Sequence, residues 1–275
     1  MSVQSAGSGR GVTTTTLREM KRRGEKIAML TAYDYLFARL VDEAGTDVVL
    51  VGDSLAQVVL GYDSTIPVTL DDMIHHARAV RRGVRRALVV VDLPFLTYHV
   101  SREETIRNAG RILQETGATA VKLEGGSAEV AETIRHLVRA GIPVMSHLGF
   151  TPQSVNAFGG VRVQGREEGG LDRLLAEARA VEDAGAFAVV LELVPGRVAS
   201  AVTESLSVPT IGIGAGVGCD GQVLVLQDML GLNEDFTPRF LRKFGELGDA
   251  TRAALGAYVG AVRAGEYPAA EHTFE

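Results

Sequence analysis

The segment Ala120-Val121-Lys122-Leu123-Glu124-Gly125-Gly126 is a short apolar run that ends in charged residues and glycines. Seven other short, β-rich apolar runs occur along the chain, and most are separated by segments with helical patterning. Several are nearly continuous in Val, Ile, Leu and Ala, which is typical of parallel strands covered by helices. The eight predicted strands are Lys26–Thr31, Asp47–Val51, Ala87–Val91, Ala120–Leu123, Pro143–Ser146, Phe187–Leu191, Thr210–Ile213 and Gln222–Leu226.

Eight βα units in roughly 200 residues favour a closed (β/α)8 TIM barrel over an open, doubly wound sheet. Only residues 214–221 separate the last two predicted strands, which is too few for a full crossover helix. We predict a disordered arm over residues 1–15 and a single catalytic barrel domain over residues 16–275. A capping-box spacing at Thr16 and Glu19 predicts that a short helix begins there and ends near Arg23.

Two further segments have predicted roles in the barrel. Residues 149–170 follow the fifth strand and predict a loop over the barrel mouth, because long irregular segments in compact domains are usually functional. The Ala-rich, charged stretch Thr237–Ala264 predicts closing helices.

The run from Asp71 to His76 resembles metal ligands, but we interpret it as a helix start, where Asp side chains favour the helix dipole.

Composition excludes several functional classes. The 275 residues include 28 Lys and Arg against 34 Asp and Glu, a formal net charge of -6. With no general basic field to hold a polyanion, we expect no nucleic-acid partner. The chain has one cysteine, Cys219, so it cannot form an intramolecular disulfide. We expect no membrane segment, because charged residues or glycines interrupt every apolar run, and a cytoplasmic location is the default expectation.

Polar residues occupy the ends of five successive predicted strands. Asp53 and Asp92 follow the second and third strands, and Glu124, His147 and Glu192 close the fourth, fifth and sixth. In a parallel barrel these ends open on one face, where the active site of this fold is built. The pattern therefore predicts that these side chains converge at the barrel mouth.

Three clustered carboxylates repel one another unless a proton or a cation lies between them. Asp53, Asp92 and Glu124 suit Mg2+, because hard divalent ions prefer oxygen ligands and no paired His or Cys offers softer ones. Lys122 is two residues from Glu124 on the same strand, so both side chains point the same way. Glu192 lies across the barrel, where it can act as a general base if it stays outside the metal shell.

Each of these polar residues could instead have a purely structural role. Asp53 or Asp92 alone could cap the next helix, and Lys122 with Glu124 could form a salt bridge inside the barrel. His147 could be a hydrogen-bonded core residue, and its role stays open. The occurrence of polar groups at five successive strand ends favours the catalytic interpretation.

Ten ordered motifs from about Lys26 to the C-terminus resemble the ketopantoate hydroxymethyltransferase family. The motifs are Thr31-Ala32-Tyr33-Asp34, Val51-Gly52-Asp53-Ser54, residues 63–69, Asp92-Leu93-Pro94-Phe95, residues 121–126, residues 147–154, Val163-Gln164-Gly165-Arg166, residues 212–216, residues 220–225 and Glu271-His272-Thr273-Phe274. None of the site positions departs from the family pattern.

The resemblance implies a barrel of the phosphoenolpyruvate/pyruvate superfamily, assembled as a homodecamer. It implies transfer of a hydroxymethyl group from 5,10-methylenetetrahydrofolate to 3-methyl-2-oxobutanoate, the first step of pantothenate biosynthesis, with Mg2+ as cofactor. By the same resemblance, Asp53 and Asp92 bind Mg2+, and Glu124 is a third or more distant ligand. Ser54 and Lys122 hold the oxoacid, and Glu192 accepts the proton.

Two other functions remain possible on the sequence. The chain could be a carbon–carbon lyase or mutase of the same superfamily, but it lacks the Lys-Lys-Cys-Gly-His loop of such lyases. It could also be a scaffold that kept the barrel and lost catalysis. The complete set of charged residues at the strand ends argues against that loss.

Overall fold

Eight parallel strands form a closed barrel in a computed structural model that describes residues 11–274. The strands pair in sequence order, and β8 closes the barrel by pairing with β1. The predicted (β/α)8 fold is therefore confirmed. The strands are β1 Ile27–Thr31, β2 Val48–Val51, β3 Leu88–Asp92, β4 Ala120–Glu124, β5 Val144–Gly149, β6 Ala188–Glu192, β7 Thr210–Ile213 and β8 Gly221–Leu224.

Helices alternate with the strands along the chain. Residues 214–220 join β7 to β8 without a helix, as their number led us to expect. The helices are α1 Thr14–Arg23, α2 Tyr35–Glu43, α3 Leu55–Val58, α4 Leu70–Gly83, α5 Arg102–Thr116, α6 Ala128–Arg139, α7 Val155–Phe158, α8 Gly170–Asp183, α9 Gly196–Ser205, α10 Leu226–Met229 and α11 Leu247–Ala264, with short 3-10 turns at Pro152–Ser154 and Ala270–His272.

The chain divides into two compact units at Val225. All eight strands lie in the first unit, and α10 and α11 lie in the second. The assignment of residues 16–275 to one catalytic domain stays a prediction. Among residues 11–274, none of the helices combines the length and the apolar character that a bilayer-spanning segment requires.

Apolar side chains fill the barrel and close one of its ends. Leu50, Val90 and Met145 from the middle of their strands belong to one buried cluster. Leu17 of α1 and Ile27, at the start of β1, belong to the same cluster. Helix α1 therefore packs at the amino-terminal ends of the strands. The polar residues lie at the other, carboxyl ends, where the active site of this fold is built.

The first helix begins earlier than predicted. Thr13 is its N-cap, and the Thr13 hydroxyl accepts a hydrogen bond from the Thr16 backbone N–H (3.1 Å). The Thr16 hydroxyl accepts one in return from the Thr13 N–H (3.2 Å). The capping box therefore uses Thr16 as its third helical residue instead of as its first member.

The predicted disordered arm over residues 1–15 is also shorter at its C-terminal end. Val12 is buried and donates its backbone N–H to the Arg86 carbonyl (2.8 Å). Residues 1–10 of that arm lie outside the described residues. Near the other end of the chain, only Leu247–Ala264 of the predicted closing helices is helical. Pro238 and Gly245 interrupt the preceding stretch, because both residues disfavour helix interiors.

Strand ends also differ from the prediction. Asp92, Glu124 and Glu192 are the last residues of their strands instead of the first residues beyond them. Pairing explains the difference, since Asp92 lies in register with Lys122, and Glu124 with His147. The ladder thus fixes the backbone of these polar residues. β8 ends two residues early, because its predicted last residue is the first of α10.

The buried carboxylate of Asp42, at the C-terminal end of α2, anchors the connection into β3. It accepts backbone hydrogen bonds from Arg85 (2.8 Å), Arg86 (3.1 Å) and Ala87 (2.7 Å). Three converging N–H donors need an acceptor that has no hydrogens of its own. Asp42 therefore carries a structural requirement for a carboxylate.

Substitution Asp42→Asn should lower the free energy of unfolding by about 2 kcal/mol, because an amide NH2 would then face buried N–H donors. The matched control is Asp34→Asn at the N-cap of α2, where the carboxylate accepts one N–H from Phe37 (2.9 Å). Asn caps helices about as well as Asp, so the control should be nearly neutral. Urea denaturation measures both, and equal losses would contradict the assigned role of Asp42.

Candidate active site

The barrel brings the predicted polar residues together at the carboxyl ends of β2 to β6. Lys122 Nζ lies 3.0 Å from Asp92 Oδ1, and the side chains are 6% and 5% exposed. The backbone N–H of Asp53 donates to Asp92 Oδ2 (3.0 Å). These contacts make Asp53, Asp92 and Lys122 one buried group.

His147 lies between two carboxylates. Its Nδ1 is 3.5 Å from Glu124 Oε1, and its Nε2 is 3.2 Å from Glu192 Oε2. Lys122 Nζ is 3.4 Å from the same Nδ1. The ring therefore connects the Lys122 side of the site to Glu192, whose side chain is 17% exposed and is the most accessible of the four acids.

The turn after β2 depends on Gly52. A Cβ atom at this position would lie 2.9 Å from the Ser54 hydroxyl and 3.6 Å from Asp92 Oδ2. The first distance is shorter than real Cβ contacts, so any side chain would displace Ser54. The Ser54 hydroxyl instead hydrogen-bonds with the Tyr33 hydroxyl (2.8 Å).

Burial and mutual repulsion dominate the electrostatics of the acids. Burial raises the pKa of Asp53 well above its ordinary value, and the charges of Asp92 and Glu124 raise it further. Burial also raises the pKa of Asp92, although Lys122 opposes that shift. The site therefore holds more negative charge than its own cations comfortably balance.

The two basic residues respond to the same field. Burial would lower the pKa of Lys122, but the carboxylates of Asp92, Glu124 and Asp53 outweigh it, so the pKa is raised. Burial and Lys122 would likewise lower the pKa of His147, but hydrogen bonds to Glu124 and Glu192 raise it to about 9. The surrounding carboxylates therefore favour the charged form of both residues.

Gln153 and Tyr98 belong to the site, although the sequence did not single them out. The Gln153 side-chain amide donates to Asp53 Oδ2 (2.8 Å), and its backbone N–H donates to Glu124 Oε2 (3.0 Å). Tyr98 donates its hydroxyl to Gln153 Oε1 (2.8 Å). Gln153 lies in one of the family-like motifs, which is the only sequence signal for it. Tyr98 has no comparable signal, because an isolated Tyr in a loop fits many roles.

The structure contradicts two of the alternative structural roles and confirms a third. Asp53 caps no helix, because the following helix α3 has Ser54 at its N-cap. Lys122 pairs with Asp92 instead of forming the isolated pair with Glu124. The interpretation of Asp71 and Asp72 as a helix start is confirmed, since both lie in the first turn of α4.

The acids offer a partial cation site. Among residues 11–274, no three His, Cys, Asp or Glu side chains form a ready-made set of metal ligands. Asp92 Oδ1 is buried without a well-aligned hydrogen bond, although Lys122 is near it. Both oxygens of Glu124 face protein partners, Gln153 and His147. Asp53 and Asp92 thus fit Mg2+, which commonly uses one or two carboxylates with water and substrate.

Comparison with known proteins agrees with the motifs. The family model for ketopantoate hydroxymethyltransferase matches residues 11–270. The 3-methyl-2-oxobutanoate hydroxymethyltransferase of Syntrophus aciditrophicus is 56% identical over 274 residues, covering 100% of both chains. The protein of the same name from Chloroflexus aurantiacus is 58% identical and covers 95% of this chain and 92% of its own. The expected enzyme class, a hydroxymethyl transferase, is confirmed.

A solved structure shows the same fold at greater distance. It is a 2,3-dimethylmalate lyase, described as a member of the PEP mutase/isocitrate lyase superfamily. It superimposes with a TM-score of 0.59 at 20% identity, covering 95% of this chain and 92% of its own. At this identity the likeness concerns the fold alone, and it agrees with the closed (β/α)8 barrel.

The raised pKa of His147 predicts a pH-dependent stability. A group whose pKa is higher in the folded state stabilises the fold fully below its unfolded pKa, ordinarily about 6.5. That contribution is lost as pH rises through about 9. Without metal or substrate, the free energy of unfolding should therefore fall between pH 6.5 and pH 9, and His147→Gln should flatten this decline. An unchanged slope in the variant would contradict a charged His147.

Proposed function

The chain belongs to the ketopantoate hydroxymethyltransferase family, and on that premise we propose that it converts 3-methyl-2-oxobutanoate to 2-dehydropantoate. The hydroxymethyl carbon comes from 5,10-methylenetetrahydrofolate, and water supplies the hydroxyl oxygen. One observation carries the proposal. Asp53 and Asp92 share a buried group with Lys122, while Glu192 lies beyond His147 and is more exposed. Because they are separated, Asp53 and Asp92 can bind a cation while Glu192 stays available for proton transfer.

Asp53 and Asp92 would hold the magnesium ion in this proposal. A bound Mg2+ polarises the carbonyl and carboxylate of an α-oxoacid and so makes its C3–H bond more acidic. Burial and the neighbouring carboxylates of Asp92 and Glu124 raise the pKa of Asp53, and a bound cation would offset both effects. Glu124, whose oxygens lie beside the Gln153 backbone N–H and His147, would be a third or more distant ligand.

Lys122 and Ser54 would bind the oxoacid. Lys122 is a buried cation at the mouth, where it can neutralise a substrate carboxylate or a developing enolate oxygen. Its ion pair with Asp92 fixes the ammonium group in advance (3.0 Å). Ser54 follows Asp53 directly and offers a short hydroxyl that can donate to the same substrate group.

Glu192 would accept the proton from C3. Both bonds from the methylene carbon to folate nitrogens must break: water adds its oxygen to that carbon, its two protons go to the two leaving nitrogens, and the carbon becomes a formaldehyde-level carbonyl. The electron pair of the C3–H bond then forms the bond between C3 and this carbon, the carbonyl π pair moves to its oxygen, and the resulting alkoxide takes the proton from Glu192. His147 Nε2 lies 3.2 Å from Glu192 Oε2, close enough for an ion pair, although the two are not aligned as a hydrogen bond in this structure. His147 would thus position the base without itself exchanging a proton with the substrate.

The proposal includes three wider properties that the family resemblance implies. The reaction is the first step of pantothenate biosynthesis, the protein acts in the cytoplasm, and it assembles as a homodecamer. Its partners are the oxoacid and the folate. Size-exclusion chromatography with light scattering tests the assembly directly.

Substitution Glu192→Gln should lower kcat for 2-dehydropantoate formation by about 10²- to 10⁴-fold, because the amide cannot accept the C3 proton. Product is followed by NMR with both substrates and Mg2+ present. The control is Glu204→Gln on α9, which makes the same chemical change at an exposed position. Full activity in Glu192→Gln would keep the reaction and reject this base.

Removal of the metal should abolish product formation, and added Mg2+ should restore it. Asp92→Asn should raise the Mg2+ concentration for half-maximal activity at least about tenfold, because a charged oxygen ligand is lost. Glu103→Gln, an exposed position in the first turn of α5, serves as control. Activity that survives EDTA treatment would contradict the magnesium assignment.

A further inference from the structure

Gln153 is buried beside the charged group of Asp53, Asp92 and Lys122. It belongs to residues 149–170, the predicted loop over the barrel mouth. It lies in the 3-10 turn Pro152–Ser154 that follows β5, and it is 5% exposed. Its side chain makes three hydrogen bonds, and its backbone N–H makes a fourth. It donates through Nε2 to Asp53 Oδ2 (2.8 Å) and to the Leu93 carbonyl (3.0 Å), and Oε1 accepts from Tyr98.

The hydrogen bonds that run from Glu124 through Tyr98 and Gln153 to Asp53 have directions fixed by their donors and acceptors. The backbone N–H of Glu124 can only donate, so the Tyr98 oxygen accepts it (3.2 Å). The Tyr98 hydroxyl hydrogen is then directed to Gln153 Oε1 (2.8 Å). With its oxygen occupied, the Gln153 amide presents both hydrogens to acceptors, the Leu93 carbonyl and Asp53.

The same residue contacts two acids on different strand ends. Its side chain holds Asp53 after β2, and its backbone N–H donates to Glu124 Oε2 at the end of β4 (3.0 Å). All four members of the set are buried, with exposures of 3% for Tyr98, 4% for Asp53, and 5% for Gln153 and Glu124. Water therefore cannot readily replace a lost donor. Loss of the Gln153 amide would remove the hydrogen bond that holds the Asp53 carboxylate in its rotation.

We propose that Tyr98 and Gln153 form a positioning relay that sets the rotation of the Asp53 carboxylate for cation binding. Neither residue touches the substrate in this role. Tyr98 fixes the orientation of the Gln153 amide, and the amide fixes Asp53. The inference rests on the proposed magnesium site, because Asp53 is one of its two assigned ligands. It also assigns a role to residues 149–170, since Gln153 in that segment contacts a proposed ligand that follows β2.

Metal binding in the absence of substrate tests the relay separately from catalysis. The probe is Mn2+ alone, titrated into the full-length protein and followed by electron paramagnetic resonance. Gln153→Leu removes the donor to Asp53 and keeps the backbone N–H on Glu124. Tyr98→Phe removes only the hydroxyl and is the milder change. Gln57→Leu and Tyr62→Phe are the matched controls, since both residues are exposed.

Gln153→Leu should weaken Mn2+ binding by about 10- to 100-fold, the usual effect of losing an outer-shell partner. Tyr98→Phe should weaken it by a smaller factor. The double variant should bind no more weakly than Gln153→Leu, because the two residues act in series. Both controls should bind as the wild type does.

Each contrary outcome has a distinct meaning. Affinities within about twofold of wild type in both variants would overturn the relay, even if the thermal midpoints fall, because lost folding stability alone leaves the metal affinity of the folded protein unchanged. If Gln153→Leu does not fold, Tyr98→Phe decides the question alone. Wild-type protein that fails to bind Mn2+ at millimolar concentration would overturn the magnesium proposal and the relay together.

Discussion

A buried set of opposite charges is the constraint on which the site depends. Lys122 lies among the carboxylates of Asp92, Asp53 and Glu124, where water cannot screen them. Burying charges is costly unless each is paired, and removal of one partner leaves the others uncompensated. The barrel provides the pairing, because its parallel register aligns Asp92 with Lys122 and Glu124 with His147. Strand pairing that builds the fold therefore also places the charges.

This arrangement separates two kinds of acid chemistry within one site. Excess negative charge around Asp53 and Asp92 favours a cation on one side. On the other side, Glu192 is more exposed, and its Oε2 lies 3.2 Å from His147 Nε2. The His147 ring lies between the two sides, with Nδ1 3.5 Å from Glu124 Oε1 and Nε2 3.2 Å from Glu192 Oε2. The same residue types thus take different roles because their surroundings differ.

Sequence patterns predicted the barrel and the charged residues at the strand ends, because both follow from simple periodicity. Boundaries were harder, as Asp92 shows: a charged residue at the end of an apolar run looks like the start of a loop, yet strand pairing includes it. The capping box at Thr13 was misplaced because two overlapping patterns share Thr16. Gln153 and Tyr98 could not be predicted, since their importance comes from contacts across 100 and 55 residues of chain. No local pattern encodes such distant contacts.

The proposed reaction requires this site to remove the C3 proton of an α-oxoacid. Hydrogen–deuterium exchange at C3 of 3-methyl-2-oxobutanoate, followed by proton NMR in D2O without folate, measures that step alone. Exchange should require both the protein and Mg2+. Folded, metal-loaded protein that leaves the C3 proton in place would contradict the proposed reaction, because the arrangement of Asp53, Asp92, Lys122 and Glu192 would then have no enolising activity.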